Sequence, residues 1–181
     1  MRVSTAVGAA VTVLLALALA GCGPMTVGSY AERGVDFTQY RSYGWASMEE
    51  RPTGDPRLDN NPFFADRLNR EIERQLSRRG YVRVSLSSPD LLVRTYVNFR
   101  EIVDTDSTDR PVPPTGRQGP EAFVFEAGTL WIDVLDAHTG TMIWRGWAAG
   151  GVDGVIDDQA WMNRKIDEVV ARILEKFPRR H

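Results

Sequence analysis

Few residues of this chain could do chemistry. The only cysteine, Cys22, closes the stretch "LALALAGC", and the two histidines are His138, inside "DAHTG", and His181, the last residue. A catalytic hydroxyl or thiol needs a base in reach, and neither "G-x-S-x-G" nor "S-x-x-K" occurs. A zinc centre needs three or four His, Cys or carboxylate ligands at short spacing, and no such set is present. Asp104, Asp106 and Asp109 in "DTDSTD" space their carboxylates like the start of a calcium loop. They lack the glycine and the distal glutamate that such a loop requires, so a solvated loop is expected. No metal and no cofactor is expected, and the chain reads as a non-enzyme. What remains is Asp133 and Arg145, opposite charges on two segments that read as paired strands.

Cys22 has its own chemistry. Arg2 opens the chain, an uncharged apolar run follows from about Val7 to Ala20, and Leu19, Ala20 and Gly21 precede the cysteine. This is the grammar of a secretory signal, and the run is short of the roughly 20 residues a membrane span needs. "LAGC" resembles the lipobox of bacterial lipoproteins, in which a diacylglycerol is attached to the thiol and the chain is cut before it. A thiolate is the side chain nucleophilic enough for that attachment. The expected organisation is a signal peptide at 1–21, a lipidated tether at 22–34 that carries Gly, Pro and Ser, and one domain at 35–181. No cysteine is then left for a disulfide, so the domain must be held by its core. The anchor makes a membrane the first partner. Gly23 after the cysteine resembles the sorting signal for the periplasmic side of the outer membrane. The net charge of −2 speaks against nucleic acid as a partner, which usually demands a basic patch.

The elements that would position Asp133 and Arg145 follow from periodicity. "VDFTQYRSYGWA" reads as a first strand from its aromatic and β-favouring residues. In "NNPFFADRLNREIERQLSRRGY" Asn61 can cap, Pro62 suits a first turn, and Phe64, Leu68, Ile72 and Leu76 recur every fourth residue, so a helix is expected. "DLLVRTYVNFREI" alternates, with Leu91, Val93, Thr95, Val97 and Phe99 on one side and Arg94, Tyr96, Asn98 and Arg100 on the other. Residues 104–120 hold four prolines and read as a long loop. "GTLWIDVLDAHTGTMIWRGWA" reads as a hairpin whose turn needs a positive φ at Gly140, in the register that sets Asp133 against Arg145 and Trp131 against Trp147. A last helix over about 157–177 carries Met162, Ile166, Val169, Val170, Ile173 and Phe177 on one stripe. The order implies an α+β two-layer sandwich: a largely antiparallel sheet with two helices packed on one face.

"DFTQYRSYGW", the "NPFF" helix ending in "RGY", "PDLLVRTYV", the hairpin with its "D-A-x-T-G" turn and "W-R-G" strand, and "ILEKFP" together resemble the bacterial lipoproteins of domain of unknown function 4136. The resemblance implies an exported, lipid-anchored α/β domain and carries over no catalytic residue.

Function then rests on the sheet. With Leu130, Ile132, Val134 and Trp144 turned to the helices, the opposite face presents Trp131, Asp133, Leu135, Ile143, Arg145 and Trp147, beside Arg94 and Tyr96. Tryptophan and arginine on an open face have the composition of a contact surface. Three functions compete, in this order: an envelope interaction or maintenance protein that binds another protein, a module that holds a glycan or small amphiphile against this face, and an enzyme using Asp133 or another carboxylate. The competing expectation is that the tryptophans are covered as a second small core.

Overall fold

A computed structural model describes residues 25–46, 52–85, 88–104, 123–152 and 154–180. Cys22, the whole signal segment, Asp106, Asp109 and His181 lie outside them, as does the proline-rich stretch beyond Asp104. Six strands form one open sheet: β1 (Met25–Ala31), β2 (Ser42–Trp45), β3 (Val82–Arg83), β4 (Leu91–Asp104), β5 (Phe123–Asp136) and β6 (Met142–Gly151), in the spatial order β1-β6-β5-β4-β2-β3. The central pairings β4–β5, β5–β6 and β1–β6 are antiparallel, while β2 runs parallel to β4 and β3. Three helices accompany the sheet: α1 (Pro56–Asp59), α2 (Pro62–Arg78) and α3 (Gln159–Glu175). The α+β class and the antiparallel centre agree with the sequence; α1 is a short addition to the two expected helices.

Local chemistry explains the helices. Asn61 accepts a hydrogen bond from the Phe63 amide with Pro62 behind it, and Asp158 accepts one from Trp161 at the start of α3, so each helix begins with a side-chain cap. The expected stripes are the buried ones: Phe64, Leu68, Ile72 and Leu76 on α2, and Met162, Ile166, Val170 and Ile173 on α3. They close on Leu91, Val93, Leu130, Ile132, Val134 and Trp144 of the sheet to make the core. Each such side chain contributes roughly 1.5–3 kcal/mol by leaving water.

Two expectations need correction. The stretch 22–34 is not a tether throughout: Met25–Ala31 is β1, paired with β6 from Met25 opposite Gly150 to Ala31 opposite Trp144, so the domain begins before residue 35. "VDFTQYRSYGWA" is not one strand either. Asp36 accepts from the Thr38 amide to cap a turn of 3₁₀ helix at Phe37–Gln39, and only Ser42–Trp45 is extended. The residues are β-favouring, but a capping aspartate two residues before the amide it serves diverts the chain into a turn.

Candidate functional site

The hairpin places the candidate residues where alternation puts them. Asp136 accepts from the amides of His138 and Thr139, and Gly140 takes a φ of 70°, which closes the turn. His138 is exposed there, away from the candidate face. The register sets Asp133 opposite Arg145, Trp131 opposite Trp147, Arg94 opposite Asp133 and Tyr96 opposite Trp131. All six candidate residues therefore share one patch, on the side of the sheet away from the core. One sequence expectation is displaced: a register irregularity between Val134 and Leu135 leaves Ile143 unpaired between Met142 and Trp144, and Ile143 is buried with the core cluster.

Asp133 is the centre of the patch. It is 0% exposed. Arg145 donates from Nε to Oδ1 at 2.6 Å and from Nη2 to Oδ2 at 2.8 Å, and Arg94 donates from Nε to Oδ2 at 3.2 Å. A fully buried carboxylate is tolerable because charged donors reach both of its oxygens. The same hydrogen bonds hold the Arg145 guanidinium above the ordinary arginine range. With both oxygens engaged, Asp133 ties its own strand to β4 through Arg94 and to β6 through Arg145. The Arg94 guanidinium also stands 5.4 Å from the centre of the Tyr96 ring, within cation–π range.

The tryptophans are half-buried, neither free in solvent nor covered like a core. Trp147 leans over β1: a Cβ built on Gly28 would lie 2.4 Å from its Cε2 and Cζ2 atoms. The edge strand carries a glycine where the indole needs the space. Tyr30, two residues on and on the same face, is 52% exposed and donates from its hydroxyl to Glu32 at 2.7 Å.

Two features went unread in the sequence. Glu71 on α2 is 1% exposed, held by Arg74 through bonds of 2.6 and 2.7 Å and by Gln75 at 2.8 Å, beside an ion pair from Arg67 to Asp167 that ties α2 to α3. Its place beside the apolar stripe in "REIERQ" is the signal for it. The second is an apolar cavity of about 80 Å³ between the sheet and the helices, lined by Phe64, Phe99, Leu130, Val152, Met162 and Ile166. Its sheet floor is Gly128, Ala148 and Gly150, so "WAAGG" is the sequence trace of the hollow. Pockets for small molecules run to roughly 300–1,000 Å³, so this hollow is well below that size, and it lies on the core side of the sheet, away from the tryptophan-bearing face. Among the described residues no group of three or more His, Cys, Asp or Glu could hold a metal ion, and no helix is long and apolar enough to cross a membrane.

Comparison with solved structures shows the fold to be an existing one. A PDZ domain protein from Parabacteroides distasonis ATCC 8503 superposes with a TM-score of 0.54 at 16% identity over 91% of this chain, which spans 39% of that protein. The dodecamer of a leucine-to-methionine variant of PelC from Paraburkholderia phytofirmans gives a TM-score of 0.50 at 11% identity over 87% of this chain and 100% of that one. A DUF4136 family protein from Bacteroides thetaiotaomicron VPI-5482 gives 0.49 at 14% identity, over 84% of this chain and 95% of that one. No curated protein matches the chain. The model of the domain of unknown function DUF4136 matches residues 27–179, from the first strand to the end of the last helix, and the chain belongs to that family.

Proposed function

We propose that this protein is a lipid-anchored lipoprotein of the cell envelope, facing the periplasm from the outer membrane, and that it works by binding an envelope partner rather than by catalysis. The observation that carries the reading is the one-sidedness of the sandwich. The core residues of α2 and α3 close on one side of the sheet, and the other side bears Trp131, Trp147, Tyr96, Arg94 and Arg145 around a buried aspartate. Half-buried indoles beside guanidiniums held in place by an ion pair are pre-organised, which lowers the ordering cost of a contact. "LAGC" supports the anchor, because a diacylated thiol would hold the chain at a membrane without a spanning helix. A partner protein is favoured over a glycan because the candidate side chains lie along neighbouring strands as a broad patch.

The test has two arms. Mass spectrometry of the protein from membranes should show a chain starting at Cys22 and carrying a diacylglyceryl mass, and Cys22→Ser should leave it uncut. A soluble, unmodified wild-type chain refutes the anchor. Photocrosslinking in intact cells from a probe at Tyr96 should capture a discrete protein that is lost on Trp131→Ala with Trp147→Ala. Capture unchanged by that pair refutes the face, and capture of glycan alone favours the module reading.

A further inference from the structure

The sheet has two edges that differ in one respect. At one end β3 is two residues long, and shortness is a standard way to keep an edge from pairing with another chain. At the other end β1 runs for seven residues, MTVGSYA, with no charge and no proline. The backbone pattern of β1 is fixed by its neighbour. The Glu32 amide donates to the Ile143 carbonyl at 2.8 Å, and Glu32 continues the β1–β6 register. Residues of an antiparallel strand alternate in the direction of their N–H and C=O groups. Thr26, Gly28 and Tyr30 therefore spend theirs on β6, and Met25, Val27, Ser29 and Ala31 turn theirs away from the sheet. Among the described residues nothing pairs with that row. A stretch of such groups whose one charge, Glu32, stands only at its end is a template for one more strand.

We propose that β1 is a self-association edge, through which two copies of this chain pair antiparallel into one continuous sheet. The occupant is a second copy because the edge is complementary to itself. A two-fold axis at Gly28 sets Val27 against Ser29 and Met25 against Ala31, each pair exchanging both of its hydrogen bonds, so every outward group of β1 is used. Sliding the register by two residues in either direction leaves an end residue without its pair. At the axis the two Gly28 residues meet as a non-hydrogen-bonded pair, whose Cα atoms come within about 4.5 Å. Gly28 carries no side chain of its own, and the space over each is filled by the Trp147 ring of the same copy, so the two indoles come together across the axis on that face. The two tryptophan-bearing faces then become one surface across the axis, an isologous contact of the commonest kind. This inference does not depend on the anchor or on the binding role proposed above.

Sedimentation equilibrium of the purified full chain in density-matched detergent should give twice the single-chain mass. Ser29→Pro removes an outward N–H and no bond to β6, and Ser29→Lys sets a like charge near itself across the axis; each should weaken dimerisation at least tenfold. Hydrogen exchange on the wild type supplies a readout that does not depend on a variant folding. The amides of Val27 and Ser29 should be protected in the dimer and exchange at least tenfold faster on dilution to monomer, while those of Thr26, Gly28 and Tyr30 stay protected in both. Single-chain mass at every concentration overturns the proposal. So does a dimer that survives Ser29→Pro in a folded variant, or one whose Val27 and Ser29 amides exchange freely.

Discussion

Arg145 holds Asp133 with two hydrogen bonds, of 2.6 and 2.8 Å, and the two residues are unequal in exposure: the Asp133 side chain is sealed, while that of Arg145 is 39% exposed. The inequality sets the order of two mutational costs. Asp133→Ala leaves Arg94 and Arg145 unpaired, but both can turn toward water, so the loss should be about 1–2 kcal/mol. Arg145→Ala strands a buried carboxylate on the single 3.2 Å bond from Arg94, which should cost about 3 kcal/mol. Urea unfolding of the two variants checks this, and a larger loss for Asp133→Ala would show that the aspartate has other support.

That pair was legible in the sequence because a hairpin is local. A period of two on each strand and a turn that demands a positive φ fix the register between residues a few positions apart. The helices were legible for the same reason, through caps and stripes within one segment. What was not legible depends on distant partners. "MTVGSYA" looks like a tether, because its strand conformation is decided by β6, which the chain makes far downstream. The parallel pairings of β2 with β3 and β4 likewise need a crossover to bring them together. Ile143 was assigned to the wrong face because one unpaired residue shifts the phase of alternation. The patch itself could be read, since all six residues lie on β4, β5 and β6; the sealing of Asp133 could not, because burial is a property of what packs above it.

Gly140 should be costly to replace although it is exposed. A Cβ there would meet nothing within 4 Å, so the penalty comes from its φ of 70° alone. Gly140→Val should cost about 1–3 kcal/mol, and Gly140→Asn clearly less, because asparagine enters the left-handed region more readily. Thermal unfolding of the two variants checks the order. Equal effects would mean that the turn tolerates another backbone shape.

Two turn-binding aspartates should make the fold acid-sensitive. Asp90 is held below the usual carboxylate range chiefly by the Arg41 amide, with the Ser42 amide and hydroxyl adding to it. Asp136 is held below it first by the Thr139 amide and then by the Tyr40 hydroxyl. A carboxyl whose folded pKa is depressed stabilises the fold fully above its unfolded value, near 3.9, and that stability is lost as pH falls through the lower folded value. Stability should therefore fall as pH drops below about 4, and Asp90→Asn with Asp136→Asn should flatten that fall while lowering stability at neutral pH. A titration of unfolding free energy from pH 7 to 2 checks the slope. An unchanged acid limb in the double variant would assign the sensitivity to other carboxylates.

The contact between Trp147 and Gly28 yields a prediction in which one substitution changes sign with its background. Alanine ordinarily suits a strand better than glycine, by roughly 0.5–1 kcal/mol. At position 28 the added methyl would occupy the place of the Trp147 ring, and overpacking of that kind costs about 1–3 kcal/mol, so Gly28→Ala should destabilise the native chain. Once Trp147→Ala has emptied the space, the same substitution should be neutral or stabilising. Trp147→Ala alone should cost less than the roughly 3–5 kcal/mol of a fully buried aromatic, because the indole is only half-buried. The four chains form a double-mutant cycle readable by urea unfolding, with an interaction term of at least about 1 kcal/mol expected for residues in direct contact. Additive effects would separate the indole from β1 and free it to move on the sheet face. A coupled pair would instead fix the ring against the edge strand, so that a partner of the kind proposed above would meet a surface already ordered.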